Sequence, residues 1–249
     1  YKRQTVRIRH RRFPVNRRLQ SRSVDILSDV TREQEALEHQ TMLAREIDHR
    51  AKNVLAVVQS VVRLTPVNEP KAFAKAVDER IQALARAHGL LASSNWRGAE
   101  LHQLVRGEFA AYVADSAQAP EQKPRFIIDG AALAVRPEAV QAIAMVLHEL
   151  TTNSVKYGAL STDAGTVKLS WTVDAGSETQ PSRLHLHWRE LGGPAITSQP
   201  SRRGFGSRLI QTTIRHQLHG EVACDWLPEG LECRMTIPAT NVVLVEPNI

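Results

Sequence analysis

The chain has 249 residues, 42% of them hydrophobic, and a formal net charge of +6 at pH 7. This length holds one ordinary domain with smaller elements beside it, and such a domain needs no disulfide or structural metal to build a core. Two cysteines, Cys224 and Cys233, form no metal-binding pattern and predict thiols in a reducing, cytoplasmic compartment. No apolar run approaches the roughly 18 residues of a membrane span, so we expect no membrane contact. Because the chain begins at Tyr1, we expect a fragment of a longer protein.

The positive charge lies at the N-terminus. Nine of the 32 basic residues and no acidic residue fall in residues 1–23, and the remaining 23 basic residues face 26 acidic ones, a net charge of −3. A basic arm could contact nucleic acid or an anionic membrane. However, Val6 and Ile8 alternate with Arg7 and Arg9, which is typical of a half-exposed strand. We therefore favour the strand and expect no nucleic-acid partner.

Residues 32–95 are predicted to form a helical hairpin. Asp29 or Thr31 would cap a first helix that runs from about Arg32 to Leu64, and a turn with two prolines precedes a second helix over residues 71–94. The apolar stripe of the second helix is predicted to comprise Phe73, Val77, Ile81, Leu84, Ala87 and Leu91. We expect a second copy of the chain to complete the hairpin seam, which gives a homodimer with a four-helix bundle.

His49 is the first candidate for chemistry. The first helix buries a seam that includes Ile47, Val54 and Val58. His49 lies about 200° around the helix from Ile47 and therefore points away from that seam. An imidazole kept out of the core among charged neighbours is available to react.

Residues 97–240 are predicted to form an α+β sandwich, with helices on one face of a mixed sheet. Helices are predicted over residues 100–113, 136–160 and 206–218, and strands over residues 124–130, 166–173, 183–190 and 230–238. Pro137 lies in the first turn of the long middle helix, and Gly158 follows its end.

That middle helix carries the second candidate site. Glu149, Thr152, Asn153 and Lys156 share one face because they are spaced at i, i+3, i+4 and i+7. A carboxylate, an amide oxygen and an ammonium on one face suit Mg²⁺ and the phosphates of a nucleotide. The alternative is an exposed polar helix face without a ligand.

Two glycine pairs extend this site. Gly204 and Gly206 immediately precede a helix, where free N–H groups and the helix dipole favour a phosphate, although a tight turn would have the same pattern. Gly192 and Gly193 would let the backbone approach a flat base, and Glu190 could accept a hydrogen bond from an adenine amino group. Nearby, Trp188 is predicted to be a core residue.

In combination, these segments resemble the catalytic core of the HWE histidine kinases, a branch of the two-component sensor kinases. The N box "LHELTTNSVKYGAL" contains His148, and "HWRELGGP" contains the W-x-E motif as Trp188 and Glu190. The segments "EIDHRAKN", "RRGFGS" and "PEGLECRMTIP" are similar to the family's phosphoacceptor box, G2 box and closing strand. The resemblance covers residues 43–238 in the family's order.

The resemblance implies an ATP-binding GHKL-type α/β sandwich, with a mixed, mostly antiparallel sheet, after a phosphoacceptor and dimerisation hairpin. It implies autophosphorylation of His49 from Mg-ATP, with Asn153 as a Mg²⁺ ligand, and transfer to an aspartate of a response regulator receiver domain. The implied domains are a catalytic domain over residues 97–240, the hairpin over residues 32–95, and the end of a PAS-type sensor domain over residues 1–31.

The residue that orients His49 is not the one common in other histidine kinases, because Arg50 occupies the position of their acidic residue. Glu46 is about 60° from His49 around the helix and Asp48 about 100°, so we favour Glu46. Asn53, at i+4, could hold the imidazole ring or a water molecule. The short segment from Pro194 to Gly204 predicts a small ATP lid and modest ATP affinity.

Two other functions remain open at this point. A degenerate kinase that binds nucleotide would act as a signalling scaffold. A chaperone-like or topoisomerase-like ATPase would use Glu149 to activate water, but that chemistry needs no helix with an exposed histidine.

Overall fold

The computed structural model describes residues 70–113, 125–177, 180–197 and 204–244. All of them belong to one compact unit, residues 60–249. The predicted acceptor His49, its neighbours Glu46 and Asn53, and the sensor remnant over residues 1–31 lie outside the described residues.

The described residues form both helices and strands, as in an α+β fold. The helices are α1 (Pro70–Ser93), α2 (Leu101–Val113), α3 (Pro137–Tyr157), α4 (Phe205–Thr212) and α5 (Ala239–Val242), with a 3₁₀ turn at Ala159–Ser161 and a π turn at Thr213–Gln217. The strands are β1 (Ala99–Glu100), β2 (Phe126–Gly130), β3 (Ala134–Val135), β4 (Thr166–Val173), β5 (Arg183–Leu191), β6 (Glu221–Leu227) and β7 (Gly230–Pro238).

Five strands form the main sheet in the order β2-β4-β5-β7-β6. The pair β2–β4 is parallel, and the other three pairs are antiparallel. Strands β1 and β3 form a separate antiparallel pair. The predicted α+β class and the mixed, mostly antiparallel sheet are therefore confirmed.

Alternating residues on β4, β5 and β7 supply one layer of the core. Leu169, Trp188 and Cys233 lie next to one another on adjacent strands, and each is almost completely buried. Their neighbours in the same hydrophobic cluster come from α2 and α3, for example Phe109 and Leu147. Period-two alternation thus directs one face of the sheet onto the helices. The prediction that Trp188 is a core residue is confirmed.

The buried stripe of α1 differs from the predicted one. Leu84, Ala87 and Leu91 are buried as expected, but Ile81 is 40% exposed and Arg80 is buried. The predicted stripe includes only apolar residues. It therefore leaves out Arg80, which shares a face with Leu84 and Ala87. The face of α1 that is buried among the described residues therefore includes a charge.

The prediction of two thiols is wrong in this structure. Strand β6 was not predicted, and its Cys224 lies directly opposite Cys233 on β7, with the two Cα atoms 4.1 Å apart. Side chains of residues directly opposite on antiparallel strands are adjacent, and here a disulfide joins them. The cysteines therefore give no support to a reducing compartment. Among the described helices, none combines the length and apolar character needed to cross a membrane.

Candidate functional site

Helix α3 is the element on which the candidate site is built. Pro137 occupies its first turn, and Gly158 caps its C-terminus, as predicted. The residues from Ala142 to Thr151 are all buried, so this helix runs through the interior. A polar side chain on its last turns is therefore either paired inside the protein or directed into a site.

Glu149 is paired. It is 3% exposed, and the guanidinium of Arg80 on α1 donates to both of its carboxylate oxygens, with Nε–Oε1 at 2.5 Å and Nη2–Oε2 at 3.0 Å. Two charge-assisted hydrogen bonds from one guanidinium provide both carboxylate oxygens with a buried partner. The alternative of an exposed polar face is therefore wrong for Glu149.

The first turn of α4 lies against the same face of α3. A Cβ placed on Gly206 would lie 2.6 Å from Glu149 Oε2 and 3.1 Å from Asn153 Nδ2. Gly204 is the exposed N-cap residue of α4, whereas Gly206 lies inside the first turn and not before the helix as predicted. The structure thus brings together three of the predicted elements: Glu149, Asn153 and the glycine segment.

Lys156 lies near the end of α3 on the exposed side. Its Nζ is 3.9 Å from Glu79 Oε2 on α1, and its side chain is 47% exposed. An exposed pair at this distance contributes little to stability. The ammonium can therefore leave Glu79 for a stronger anion at small cost.

Glu190 is placed differently from the predicted open adenine contact. It is 2% exposed; Trp188 Nε1 donates to Oε1 at 3.1 Å, and the backbone N–H of Ala159 donates to Oε2 at 2.8 Å. Burial raises the pKa of Glu190, and hydrogen bonds from Ala159, Trp188 and Ser154 only partly offset that rise. In this structure Glu190 holds the turn after α3, and its contact with a base stays a prediction.

The predicted glycine pair after β5 packs on that same turn. Gly192 has a positive φ of 73°, and its carbonyl accepts a hydrogen bond from Thr162 Oγ1 at 2.8 Å. A Cβ on Gly193 would lie 2.8 Å from the backbone nitrogen of Ala159. Glu190 and Gly193 therefore both contact the backbone that follows α3, at the C-terminal end of that helix.

A second buried charge cluster was missed by the sequence analysis. His148 is 4% exposed, and its Nδ1 is 2.7 Å from Glu108 Oε1 on α2. Arg86 on α1 donates from Nη2 to Glu108 Oε2 at 2.7 Å. Burial alone would raise the pKa of Glu108, but the hydrogen bonds and charges of His148 and Arg86 outweigh burial and lower it.

A sequence signal for this cluster existed. Glu108 shares a helix face with Leu101, Leu104 and Val105, all buried, and an acidic residue on a buried stripe requires a partner. His148 was recognised only through the resemblance, and Arg86 gave no sign of its role because it lies at the edge of its stripe.

The side chains near Asn153 offer few ligands for a metal ion. Among the described residues, no three histidine, cysteine, aspartate or glutamate side chains come together as a metal site. Asn153 offers an amide oxygen next to the first turn of α4, since a Cβ on Gly206 would lie 3.4 Å from Asn153 Oδ1. One amide oxygen beside a helix N-terminus fits Mg²⁺, because this ion retains waters and takes substrate phosphates as its other ligands.

Comparison with known proteins decides the family. Residues 46–125 match the family model described as HWE histidine kinase. Over 209 residues, 83% of this chain, the sequence is 36% identical to a blue-light-activated histidine kinase of Rhizobium johnstonii, and over 222 residues, 88% of this chain, it is 33% identical to one of Brucella ovis. The chain belongs to the HWE histidine kinase family. It spans about half the length of these curated relatives, 55% and 43%.

The fold of this HWE family member has a solved counterpart. The histidine kinase domain of a blue-light-activated histidine kinase from Erythrobacter litoralis superposes with a TM-score of 0.50 at 16% sequence identity. The match covers 77% of this chain and 95% of that domain. At this identity the likeness concerns the fold alone, and it agrees with a histidine kinase catalytic domain.

Proposed function

We propose that this chain is a sensor histidine kinase that phosphorylates its own His49 from Mg-ATP and passes the phosphoryl group to an aspartate of a response regulator receiver domain. The observation that carries the proposal is the meeting of Glu149, Asn153 and the first turn of α4 around Gly206. Family membership supports the reaction class, and this geometry supports the first turn of α4 as the binding position that we propose for the phosphates.

The first turn of α4 would bind the phosphate chain. N–H groups at a helix N-terminus lack intrahelical partners, and the helix dipole adds positive potential there. Gly204 is exposed, and none of the described residues lies within 4 Å of the position its Cβ would take, so a ligand can approach the backbone. Lys156 would add an ammonium to the same ligand by leaving Glu79.

Asn153 would hold Mg²⁺ through its amide oxygen, and Glu149 would supply a fixed negative charge beside it. When bound, Mg²⁺ neutralises charge on the phosphate oxygens and so favours attack on the terminal phosphorus. At the other end of the nucleotide, Gly192 and Gly193 would contact the base, with Glu190 accepting from its amino group after a local rearrangement of its present hydrogen bonds.

In the phosphoryl transfer, a ring nitrogen of His49 forms a bond to the γ-phosphorus while the bond to the ADP oxygen breaks. We expect Glu46 to orient the imidazole and keep its attacking nitrogen unprotonated, with Asn53 as a second polar contact. The protein contributes mainly position and charge, as in other phosphoryl transfers.

For the surroundings of this reaction, we propose a homodimer in the cytoplasm, formed through the helical hairpin, with a response regulator as its protein substrate. The curated relatives are named as blue-light-activated. Light is therefore the first input to test.

The test is incubation with γ-labelled ATP and Mg²⁺, comparing the wild type with His49→Ala and Asn153→Ala. We expect acid-labile, base-stable label on the wild type alone, His49→Ala to bind nucleotide without label, and Asn153→Ala to lose Mg²⁺-dependent binding. Nucleotide binding without label in the wild type would instead support the scaffold. Steady release of phosphate without labelled protein would support the ATPase.

A further inference from the structure

Two arginines of α1 are linked to consecutive residues of α3, one directly and one through α2. Arg80 holds Glu149 directly, and Arg86 holds Glu108, which in turn holds His148. The proposed functions of Glu149 and Asn153 assign no part to α1, and nothing in the sequence analysis placed these arginines near the site.

Arg80 fixes the orientation of the Glu149 carboxylate and also balances its charge. A guanidinium that donates from Nε and Nη2 to the two oxygens of one carboxylate sets the plane of that carboxylate. The side chains are 10% and 4% exposed, so water does not compete effectively for the pair. Because Glu149 Oε2 faces Gly206, the orientation set by Arg80 decides what the first turn of α4 meets.

The contact between Glu108 and His148 holds α3 on a second side. Consecutive helix residues project about 100° apart around the axis. Holding His148 through Glu108 and Glu149 through Arg80 therefore fixes the rotation of α3 about its own axis. Asn153 lies one turn beyond Glu149 and only about 40° from it around the helix, so its direction toward α4 is set by the same two contacts.

We propose that Arg80 is a positioning residue of the nucleotide site, and that the chain from Arg86 through Glu108 to His148 is its second anchor, so that α1 sets the orientation of the nucleotide-binding face of α3. This inference rests on the proposed function, because it assigns α1 a role at the site where Mg-nucleotide binds. A shift of α1 along or around its axis changes nucleotide binding.

The experiment compares Arg80→Met, Arg80→Lys and the wild type. Methionine fills a similar space without a charge. Lysine restores the charge but lacks the planar guanidinium that donates to both carboxylate oxygens at once. Affinity for Mg-ADP and for ADP without Mg²⁺ is measured by calorimetry well below each melting temperature, and the rate of label incorporation is measured as a function of ATP concentration. Lys71→Met is the matched control, since Lys71 is an exposed basic residue on the same helix.

We expect Arg80→Met to bind Mg-ADP at least tenfold more weakly than the wild type, Arg80→Lys to fall between them, and Lys71→Met to match the wild type. A structural role alone would lower the melting temperature and leave the affinity of the folded protein unchanged. That result, or equal affinity in all variants, overturns the proposal. If Arg80→Met does not fold, Arg80→Lys and Arg86→Lys decide, and wild-type affinity in both is the overturning result.

The same experiment distinguishes failure of the proposed kinase function from failure of the positioning role of Arg80. A wild type that binds no Mg-nucleotide overturns the kinase assignment, and the positioning role with it. A wild type that binds and labels, beside Arg80 variants that do the same equally well, overturns only the positioning role.

Discussion

Gly206 lies directly against the carboxylate of Glu149. A Cβ on Gly206 would be 2.6 Å from Glu149 Oε2, which is closer than side-chain atoms pack. The same Cβ would be 3.1 Å from Asn153 Nδ2. The first turn of α4 therefore reaches α3 only because no side chain stands between them, and this glycine is required by packing.

The first prediction is that Gly206→Ala weakens both stability and nucleotide binding. Glu149 cannot move away freely, because Arg80 holds both of its oxygens. Overpacking of this kind costs about 1–3 kcal/mol. We expect a loss of that size in urea unfolding and an affinity for Mg-ADP lowered about tenfold.

Gly107→Ala is the matched control for that variant. Gly107 lies in the middle of α2, and within the part of the chain that the structure describes nothing comes within 4 Å of the position of its Cβ. Alanine there stabilises a helix by about 0.5–1 kcal/mol relative to glycine. An equal effect of the two substitutions would contradict the close approach at Gly206.

Much of this fold was predictable because its elements carry strong local signals. Pro137 and Gly158 bound α3 as expected, and the alternation in β4 and β7 gave their bounds within a residue. These features depend on residues near in sequence. The candidate face of α3 was predicted in the same way, from helical spacing.

The contacts across elements were not predictable in this manner. Arg80 and Glu149 are 69 residues apart, and nothing in either local segment specifies the other as a partner. Strand β6 was missed, and with it the pairing of Cys224 and Cys233. Glu190 has the period of a buried position on its strand, but its partner Ala159 belongs to a turn that no pattern placed next to β5.

The second prediction concerns Glu108 and acid. Its folded pKa is lowered, so the unfolded chain binds more protons as the pH falls. The stability due to Glu108 is therefore present above the ordinary pKa of a glutamate, about 4.3, and is lost as the pH falls through the lower folded pKa. Glu108→Gln removes this dependence and costs about 3 kcal/mol at neutral pH, because Arg86 and His148 lose a buried charged partner.

The measurement is the free energy of unfolding of the wild type and Glu108→Gln between neutral pH and pH 3. We expect the difference between their free energies of unfolding to become smaller as the pH falls. Glu138→Gln is the control, since the Glu138 side chain is 74% exposed. A gap that stays constant with pH would show that Glu108 acts by shape and not by charge.

The third prediction is that Cys224 and Cys233 resist thiol labelling until the protein is reduced. They are nine residues apart, and closing a loop of this size in the unfolded chain stabilises a protein by about 2–3 kcal/mol in the chain-entropy treatment. We expect reduction to raise the mass by about 2 Da and to lower stability by up to that amount. Immediate labelling of both cysteines in unreduced protein would contradict the bond. The Cys224→Ser, Cys233→Ser variant should have no response to reductant.

The fourth prediction is that Glu190 makes stability fall as the pH rises. Its folded pKa is raised by burial, so between the unfolded and folded pKa values the folded state binds more protons than the unfolded state. The contribution of Glu190 is fully present below the unfolded pKa and is lost as the pH rises through the folded one. Glu190→Gln has no such titration, and its amide has a single accepting oxygen, so one of the two donors, Trp188 Nε1 or the Ala159 N–H, loses its partner. We expect a pH-independent cost of about 1–3 kcal/mol for the unmet donor.

The free energies of unfolding of Glu190→Gln and the wild type, measured from pH 4 to pH 8, should therefore converge as the pH rises. Titrations of other groups cancel in the difference, since they are common to both proteins. Affinity for ADP supplies a separate readout, because a base amino group needs an acceptor that glutamine offers only in one orientation. If stability converges while affinity is unchanged, Glu190 holds the turn after α3 and does not contact the base; if affinity falls as well, Glu190 does both.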